Sequence, residues 1–272
     1  MAAKKPQSNS KSKSKARAMK PEASEQQLLG KVAVVTGGSR GIGYAVAHTL
    51  AAEGCSVVIS GRNGSALAES AVRISKSLSK KLSSAKRRMR VVAFTCDVRD
   101  PESVASLFAA VKQRFGKIDV LVNNAGVAQP LVPIEQTSVE LWREVMDTNL
   151  TGLFLCTRAA LPLMGSGGTI INNLSVAAKT VFPDFAAYNT SKHGALGFTL
   201  SLREELIPRS IRVVALMPGA TDTDLWQQFW PEAHRERMID VKSVAQAVLY
   251  AVLLPANANL SELVLAPTGG PL

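Results

Sequence analysis

Between Lys31 and Gly43 the chain reads KVAVVTGGSRGIG, a short β-branched run followed by a glycine-rich turn. An amphipathic pattern then continues to about Glu53, so the stretch predicts a buried strand, a tight turn and a helix. Glycines let such a turn bend sharply and approach a ligand, and the free N–H groups at a helix start favour a phosphate. The order therefore predicts a phosphate-binding loop of the dinucleotide-binding kind, with a plain strand-to-helix turn as the alternative.

Six further apolar runs read as strands, and helical patterns lie between them. These runs are Cys55–Ser60, Val91–Thr95, Lys117–Val122, Thr169–Leu174, Ile211–Leu216 and Leu263–Ala266. Their apolar residues are consecutive, which is typical of strands that are buried on both faces. We therefore predict an α/β fold, in which a Rossmann-like, doubly wound sheet of seven parallel strands carries helices on both faces. A single domain from residue 30 to residue 272 accounts for this alternation.

The net charge of +11 is concentrated in two segments. Residues 1–29 are rich in Ser and Lys and nearly devoid of large apolar side chains, so we expect a disordered basic tail. A transit segment or a tail that touches nucleic acid or acidic lipid remains an alternative. Residues 71–90 hold eight basic side chains and no acid, and we interpret them as a solvated helix face and loop. Because no aromatic residues are interleaved there, no specific nucleic-acid partner is expected.

The rest of the composition narrows the class of protein. No apolar run is long enough to span a bilayer, and the start lacks the apolar core of a secretory signal. Three scattered cysteines without metal-ligand spacing fit a reducing compartment, and no metal site is expected. We expect a cytoplasmic protein, or one in the interior of a plastid or other organelle if residues 1–29 act as a transit segment.

The end of the second predicted strand indicates which dinucleotide is bound. An acidic residue there would bind the ribose 2′-hydroxyl of NAD, but the chain continues as Gly61-Arg62-Asn63. Arg62, together with Arg40 in the glycine turn, would instead meet a 2′-phosphate through charge-assisted hydrogen bonds. The sequence therefore favours NADP over NAD.

The stretch Tyr188-Asn189-Thr190-Ser191-Lys192 carries the predicted chemistry. Residues four apart project from the same face of a helix, so Tyr188 and Lys192 are neighbours. A phenol has a pKa of about 10, and an adjacent ammonium would lower it, which makes the pair a candidate general acid/base. The alternative is a surface tyrosine beside a solvated lysine. The glycine turn, Arg62 and the other motif residues fall at the carboxyl ends of predicted strands, where such sheets bind ligands.

Six motifs stand in the order of a known family. They are TGGSRGIG at Thr36–Gly43, NNAG at Asn123–Gly126, Asn149, Ser175, Tyr188-x-x-x-Lys192 and Pro218-Gly219. From about residue 30 to residue 268 the chain resembles the short-chain dehydrogenases/reductases, and in particular 3-oxoacyl-carrier-protein reductases and NADPH-dependent carbonyl reductases.

The resemblance implies a role for each of four catalytic residues. Tyr188 would protonate the carbonyl oxygen during reduction, and Lys192 would bind the nicotinamide ribose and lower the Tyr188 pKa. Ser175, thirteen residues before Tyr188, would hydrogen-bond the substrate carbonyl. Asn149 would hold a water molecule that connects Lys192 to solvent.

The resemblance also implies a set of residues that contact NADP along its length. The phosphates and adenosine would be lined by Gly37, Ser39, Arg40, Gly41, Ile42 and Gly43, and the 2′-phosphate by Arg62. The adenine would lie between Asp97 and Val98, and the central part along Asn124, Ala125 and Gly126. The nicotinamide end would be held by Pro218, Gly219, Thr221 and Thr223, with Tyr188 and Lys192.

The function that follows from the resemblance is NADPH-dependent reduction of an aldehyde, ketone or 3-oxoacyl group. Flap residues between 221 and 240, among them Trp226, Phe229 and Trp230, predict an apolar substrate pocket, unless the tryptophans only seal the flap onto the body. The alternative function is a non-catalytic NADP-binding sensor or scaffold. The resemblance also implies a homodimer or homotetramer that pairs through the helices carrying Asn149 and Tyr188.

Overall fold

The computed structural model of the chain describes residues 27–79, 91–228 and 230–270. The strands are β1 Val32–Thr36, β2 Ser56–Gly61, β3 Val91–Thr95, β4 Ile118–Asn123, β5 Met164–Asn173, β6 Arg212–Pro218 and β7 Glu262–Leu265. The helices are α1 Gly41–Ala52, α2 Gly64–Ser79, α3 Pro101–Phe115, α4 Val139–Met146, α5 Gly152–Ala160, α6 Ala186–Leu206 and α7 Val241–Leu253.

All strand pairs are parallel, and the strand order is β3-β2-β1-β4-β5-β6-β7. The order reverses between β1 and β4, which leaves a crevice at their carboxyl ends. The predicted doubly wound seven-stranded sheet is therefore confirmed. Because the chain leaves every strand at the same edge, the loops that follow the strands lie together around this crevice.

Each face of the sheet is covered by its own set of helices. Ala33 and Val35 of β1 point into a core formed with α1, α2 and α7. Val34 points to the opposite face, into a core formed with α3, α5 and α6. This alternation explains the uninterrupted apolar run of β1, since every residue of the strand is buried on one side or the other.

The structure corrects three boundaries. The helix expected from about Ser138 is interrupted by a π-helical turn at Asp147–Thr151, which separates α4 from α5. Strand β5 begins at Met164 rather than Thr169, with a shift in its register against β4. Leu28 is buried and its N–H bonds the carbonyl of Glu53, so the ordered body already includes residues 27–29, which the sequence placed in the tail.

Some predictions fall outside the described residues. These are the disorder of residues 1–26, the basic stretch at 80–90 and the flap residue Phe229. Within the described parts of the chain, none of the helices is long and apolar enough to cross a membrane.

Candidate active site

The glycine turn between β1 and α1 is shaped by close approaches of the backbone. Gly37 has a φ of 65°, and a Cβ there would lie 2.9 Å from Cα of Ala125. A Cβ on Gly43 would collide with the carbonyl oxygen of Gly37 and with the amide of Asn124. These two glycines are therefore required for the loop to pack against the end of β4, and the N–H groups at the start of α1 face the crevice edge.

The side chain of Asn124 connects the ends of three strands. Its Nδ2 donates to the carbonyls of Thr36 (3.0 Å) and Gly37 (3.1 Å), and its Oδ1 accepts from Nδ2 of Asn173 at the end of β5 (2.8 Å). In return, Oγ1 of Thr36 accepts the backbone N–H groups of Asn124 and Ala125. Asn124, predicted as a cofactor contact, thus uses its amide within the protein to hold the glycine turn in place.

The polar residues at the ends of β2 and β3 form a charged rim. Arg62 and Arg40 are exposed. The Asp97 carboxylate is paired with Arg99, whose Nη2 lies 2.6 Å from Oδ2, and this bond and the more distant Arg62 charge lower the Asp97 pKa. The side chain of Val98 is buried against Gly152. Asp97 and Val98 therefore follow the end of β3, and their side chains contact other parts of the protein.

Tyr188, Ser175 and Lys192 are brought together across β5 and α6. Ser175 follows β5 by two residues, and its hydroxyl hydrogen-bonds the phenol of Tyr188 while accepting the N–H of Ala177. Nζ of Lys192 lies 5.4 Å from the centre of the Tyr188 ring and donates to the carbonyl of Asn173 at 3.3 Å. The predicted grouping of these three side chains is therefore observed.

Burial opposes charge on both members of the Tyr–Lys pair. Burial raises the pKa of Tyr188, although the hydrogen bond from Ser175 lowers it, so the net direction is upward. Burial lowers the pKa of Lys192 from 10.5 to about 8. The Tyr188 pKa is thus raised overall because the loss of hydration outweighs the Ser175 hydrogen bond. The expectation that Lys192 lowers this pKa stays a prediction. At neutral pH the site therefore holds a protonated phenol beside a lysine that is close to its titration range.

The side chain of Asn149 lies in the π-helical turn and is buried. Its Oδ1 accepts the N–H of Val127 at 2.9 Å, and its Nδ2 donates to the carbonyl of Val127 (3.0 Å) and to Oγ of Ser191 (3.1 Å). All of these partners are protein atoms, and they use both N–H groups of the amide and one of the two acceptor positions of Oδ1. A π-helical turn widens the helix locally and is common at functional sites.

The segment after β6 closes the crevice from the other side. Oγ1 of Thr221 donates to the carbonyl of Gly219, and the indole N–H of Trp226 donates to the carbonyl of Thr221 at 2.8 Å. Thr223 lies against Gly41 in the glycine turn. The Trp226 bond is thus made within the flap, and Trp230 is 37% exposed, so the role of the two tryptophans stays a prediction.

Several residues of the site carried no signal in the sequence. Gln129, Asn173 and Ser191 contact the catalytic residues directly, and Arg99 neutralises Asp97. Ser191 stands inside the Tyr188–Lys192 stretch and could have been found there. Gln129 and Asn173 stand next to recognisable motifs but in no pattern of their own. Among the described residues, no group of three or more His, Cys, Asp or Glu side chains could hold a metal ion.

Comparison with known proteins agrees with this geometry. The family model for short chain dehydrogenases matches residues 31–234. An uncharacterized oxidoreductase of Staphylococcus saprophyticus is 35% identical over 89% of this chain and 99% of its own length. A 3-oxoacyl-[acyl-carrier-protein] reductase of Synechocystis is 35% identical over 89% of this chain and 97% of its own length. A short chain dehydrogenase of Burkholderia cenocepacia, solved with NADP, superposes with a TM-score of 0.77 at 30% identity, over 88% of this chain and 97% of its own.

The crossover of the sheet, the glycine turn and the Ser–Tyr–Lys cluster thus define a dinucleotide-binding oxidoreductase. The chain belongs to the short-chain dehydrogenase family.

Burying Lys192 should reduce the stability of the folded chain at neutral pH. The shift of its pKa from 10.5 to about 8 corresponds to about 3 kcal/mol, since one pKa unit is worth about 1.4 kcal/mol. Between these two pH values the unfolded chain holds the proton and the folded chain does not, so stability rises with pH there. We expect Lys192→Met to raise the free energy of unfolding at pH 7 by about 2–3 kcal/mol, measured by urea unfolding without added cofactor.

The gain should shrink as the pH rises from about 8 to 10.5, because the neutral amine is no longer penalised by burial. Lys112→Met, on the exposed side of α3, is the matched control and should change stability little at either pH. A Lys192→Met protein that is less stable than the parent at pH 7, or a gain that does not depend on pH, would contradict this account.

Proposed function

We propose that the protein reduces a carbonyl group of an aldehyde, ketone or 3-oxoacyl compound to an alcohol, with NADPH as the hydride donor. The observation that carries this proposal is the position of the Tyr188 phenol, which shares a hydrogen bond with Ser175 and has Nζ of Lys192 5.4 Å from the centre of its ring. A neutral phenol can donate a proton to the oxygen of a carbonyl, which is the protonation state that reduction requires.

The residues at the rim of the crevice fit NADP. The chain leaves β2 through Gly61, Arg62, Asn63 and Gly64, so no carboxylate there repels a 2′-phosphate. The guanidinium groups of Arg62 and Arg40 are exposed and can form bidentate hydrogen bonds with a 2′-phosphate. The NADP complex of the Burkholderia cenocepacia relative supports the same choice. When bound, the cofactor supplies the hydride, while the protein supplies position and electrostatics.

Four residues of the chain would carry out the proton transfer and stabilise the charges that it creates. Ser175 would donate a hydrogen bond to the carbonyl oxygen and stabilise the charge that develops there. Tyr188 would transfer its proton to that oxygen, and the Lys192 ammonium would stabilise the phenolate that is left. Asn149 bonds Val127 and Ser191 from the π-helical turn, and it would hold a water molecule that connects Lys192 to solvent.

The surroundings of the site favour an apolar substrate. Val181 and Phe182 follow Ser175 and are 70% and 38% exposed, and Trp230 of the flap is 37% exposed. Exposed apolar side chains around a crevice are typical of a surface that a ligand covers. Long-chain carbonyl compounds and 3-oxoacyl thioesters, the class named by the Synechocystis relative, are therefore the substrates that we propose.

Removing the phenol hydroxyl should abolish reduction without unfolding the site. We expect Tyr188→Phe to lower kcat at least about 100-fold, since proton transfer by a positioned group typically contributes a factor of 10² to 10⁴. The measurement is the loss of NADPH absorbance with a panel of aldehydes, ketones and 3-oxoacyl thioesters. NADPH binding, followed by fluorescence, should be retained; a Tyr188→Phe protein with full activity would rule out this proton donor.

The choice of cofactor depends on the charge at Arg62. We expect Arg62→Asp to reduce kcat/KM for NADPH at least about 10-fold and to raise it for NADH, because a carboxylate repels the 2′-phosphate and binds a 2′-hydroxyl. Arg143→Asp, at an exposed position of α4, is the matched control and should leave the preference unchanged. Equal use of both cofactors by the unmodified protein would count against the role of Arg62.

We also propose that the chain pairs through α4, α5 and α6. Trp142, Phe154 and Leu200 on these helices are 36%, 40% and 41% exposed, which supports an interface there. We expect a dimer or tetramer by sedimentation, and Leu200→Arg should shift it toward the monomer because burying an unpaired charge is costly. Val72→Arg, at a 50% exposed position on α2, is the control and should leave the oligomeric state unchanged. A monomeric parent would refute this pairing.

The cytoplasm is the location we propose, with an organelle interior as the alternative. Residues 1–26, which would decide between them, lie outside the described part of the chain. Imaging of the full chain and of a chain lacking residues 1–26, each fused at the carboxyl terminus, would distinguish the two.

A further inference from the structure

Gln129 is a buried polar side chain that neither the motifs nor the proposed chemistry explain. It lies in the loop after β4, only 1% of its surface is exposed, and it is among the largest fully buried side chains of the described residues. A glutamine buried this deeply is expected to use both ends of its amide in hydrogen bonds. Its contacts therefore indicate what it does.

The oxygen of the Gln129 amide accepts the backbone N–H of Tyr188 at 2.9 Å. Tyr188 is the third residue of α6, so this N–H belongs to the first turn, where no carbonyl of the helix is available. The residue at the N-cap, Phe185, supplies no side-chain hydrogen bond. Gln129 thus takes the place of a capping residue, but it does so from a different segment of the chain.

The orientation of the amide follows from this contact. A backbone N–H can only donate, so the amide oxygen must face Tyr188 and the NH₂ group must point away from it. Within the described residues this NH₂ group has no hydrogen-bond partner. A methionine would fill similar space without this unsatisfied donor, so the bond to Tyr188 is what the glutamine contributes.

The loop that carries Gln129 also contacts Asn149 in the π-helical turn. Two residues before Gln129, the backbone of Val127 forms two hydrogen bonds with the Asn149 side chain. Asn149 bonds Oγ of Ser191, and that hydroxyl donates to the carbonyl of Tyr188 at 2.8 Å. The contacts close a ring that runs from Val127 through Asn149, Ser191 and Tyr188 to Gln129. We name it the loop–helix ring.

We propose that Gln129 is a positioning residue for Tyr188, which closes the loop–helix ring and fixes the phenol relative to Ser175 and the π-helical turn. The inference deepens the proposed function and rests on it for its kinetic test. Gln129 acts through Tyr188 and does not itself touch the reacting carbonyl. Small displacements of a reacting group can lower the rate by about two orders of magnitude, so this support matters for turnover more than for binding.

The kinetic test compares Gln129→Met with Gln129→Glu, using 4-nitrobenzaldehyde and an acetoacetyl thioester as probe substrates. We expect Gln129→Met to lower kcat about 10-fold or more while KM and NADPH affinity change less than about 3-fold. The pH profile of kcat should also move, because a displaced phenol loses the Ser175 hydrogen bond. Gln129→Glu keeps an oxygen that accepts the Tyr188 N–H, and it should recover most of the lost kcat.

Gln113→Met, at an exposed position of α3, is the matched control for the substitution itself and should leave kcat unchanged. A folded Gln129→Met protein with the parental kcat and pH profile would overturn the proposal. So would a folded Gln129→Glu protein that is as slow as Gln129→Met.

A second measurement needs neither activity nor a variant. Hydrogen exchange of the Tyr188 amide in the unmodified chain should be markedly slower than is usual in the first turn of a helix, because Gln129 accepts its hydrogen. Fast exchange at Tyr188 would overturn the inference. If no carbonyl compound is reduced, the proposed function fails while this exchange measurement still decides the role of Gln129.

Discussion

The site depends on the hydrogen bonds of one amide, that of Asn124. This side chain bonds the glycine turn through the carbonyls of Thr36 and Gly37, and it bonds the end of β5 through Asn173. Because Gly37 and Gly43 have no Cβ, the turn can approach that amide closely. The glycine turn and the strand that leads to Ser175 are therefore joined directly by the hydrogen bonds of one side chain.

The chemistry of the site follows from its burial. A hydrated phenol beside an ammonium would be expected to lose its proton more easily, but at this site the loss of hydration raises the Tyr188 pKa and lowers that of Lys192. Both shifts disfavour charge in the same pocket. The folded protein thus holds a protonated phenol and, below about pH 8, a lysine cation whose burial lowers stability, as is common where activity and stability conflict.

Tyr188 is contacted by segments that are distant in the chain. Asn149 comes from the π-helical turn, Val127 and Gln129 from the loop after β4, and Ser191 and Tyr188 from α6. The π-helical turn contributes to these contacts, because Asn149 lies in it and its amide donates to the carbonyl of Val127. The apolar side chains that we propose to face the substrate, Val181, Phe182 and Trp230, are exposed.

The doubly wound sheet could be predicted because consecutive apolar runs and the glycine turn are local patterns. Helical spacing predicted that Tyr188 and Lys192 share a helix face, and the other motifs were needed to give the pair a chemical role. The π-helical turn, the burial of Leu28 and the bond from Gln129 to Tyr188 could not be predicted, since each depends on a partner far away in the sequence. The upward direction of the Tyr188 pKa could not be predicted either, because a residue list does not reveal the loss of water around the phenol. Local sequence therefore determined the helices, the strands and the identity of the polar groups at the site. Tertiary packing decided the direction of their pKa shifts and their hydrogen-bond partners, because burial from water and long-range hydrogen bonds exist only in the assembled fold.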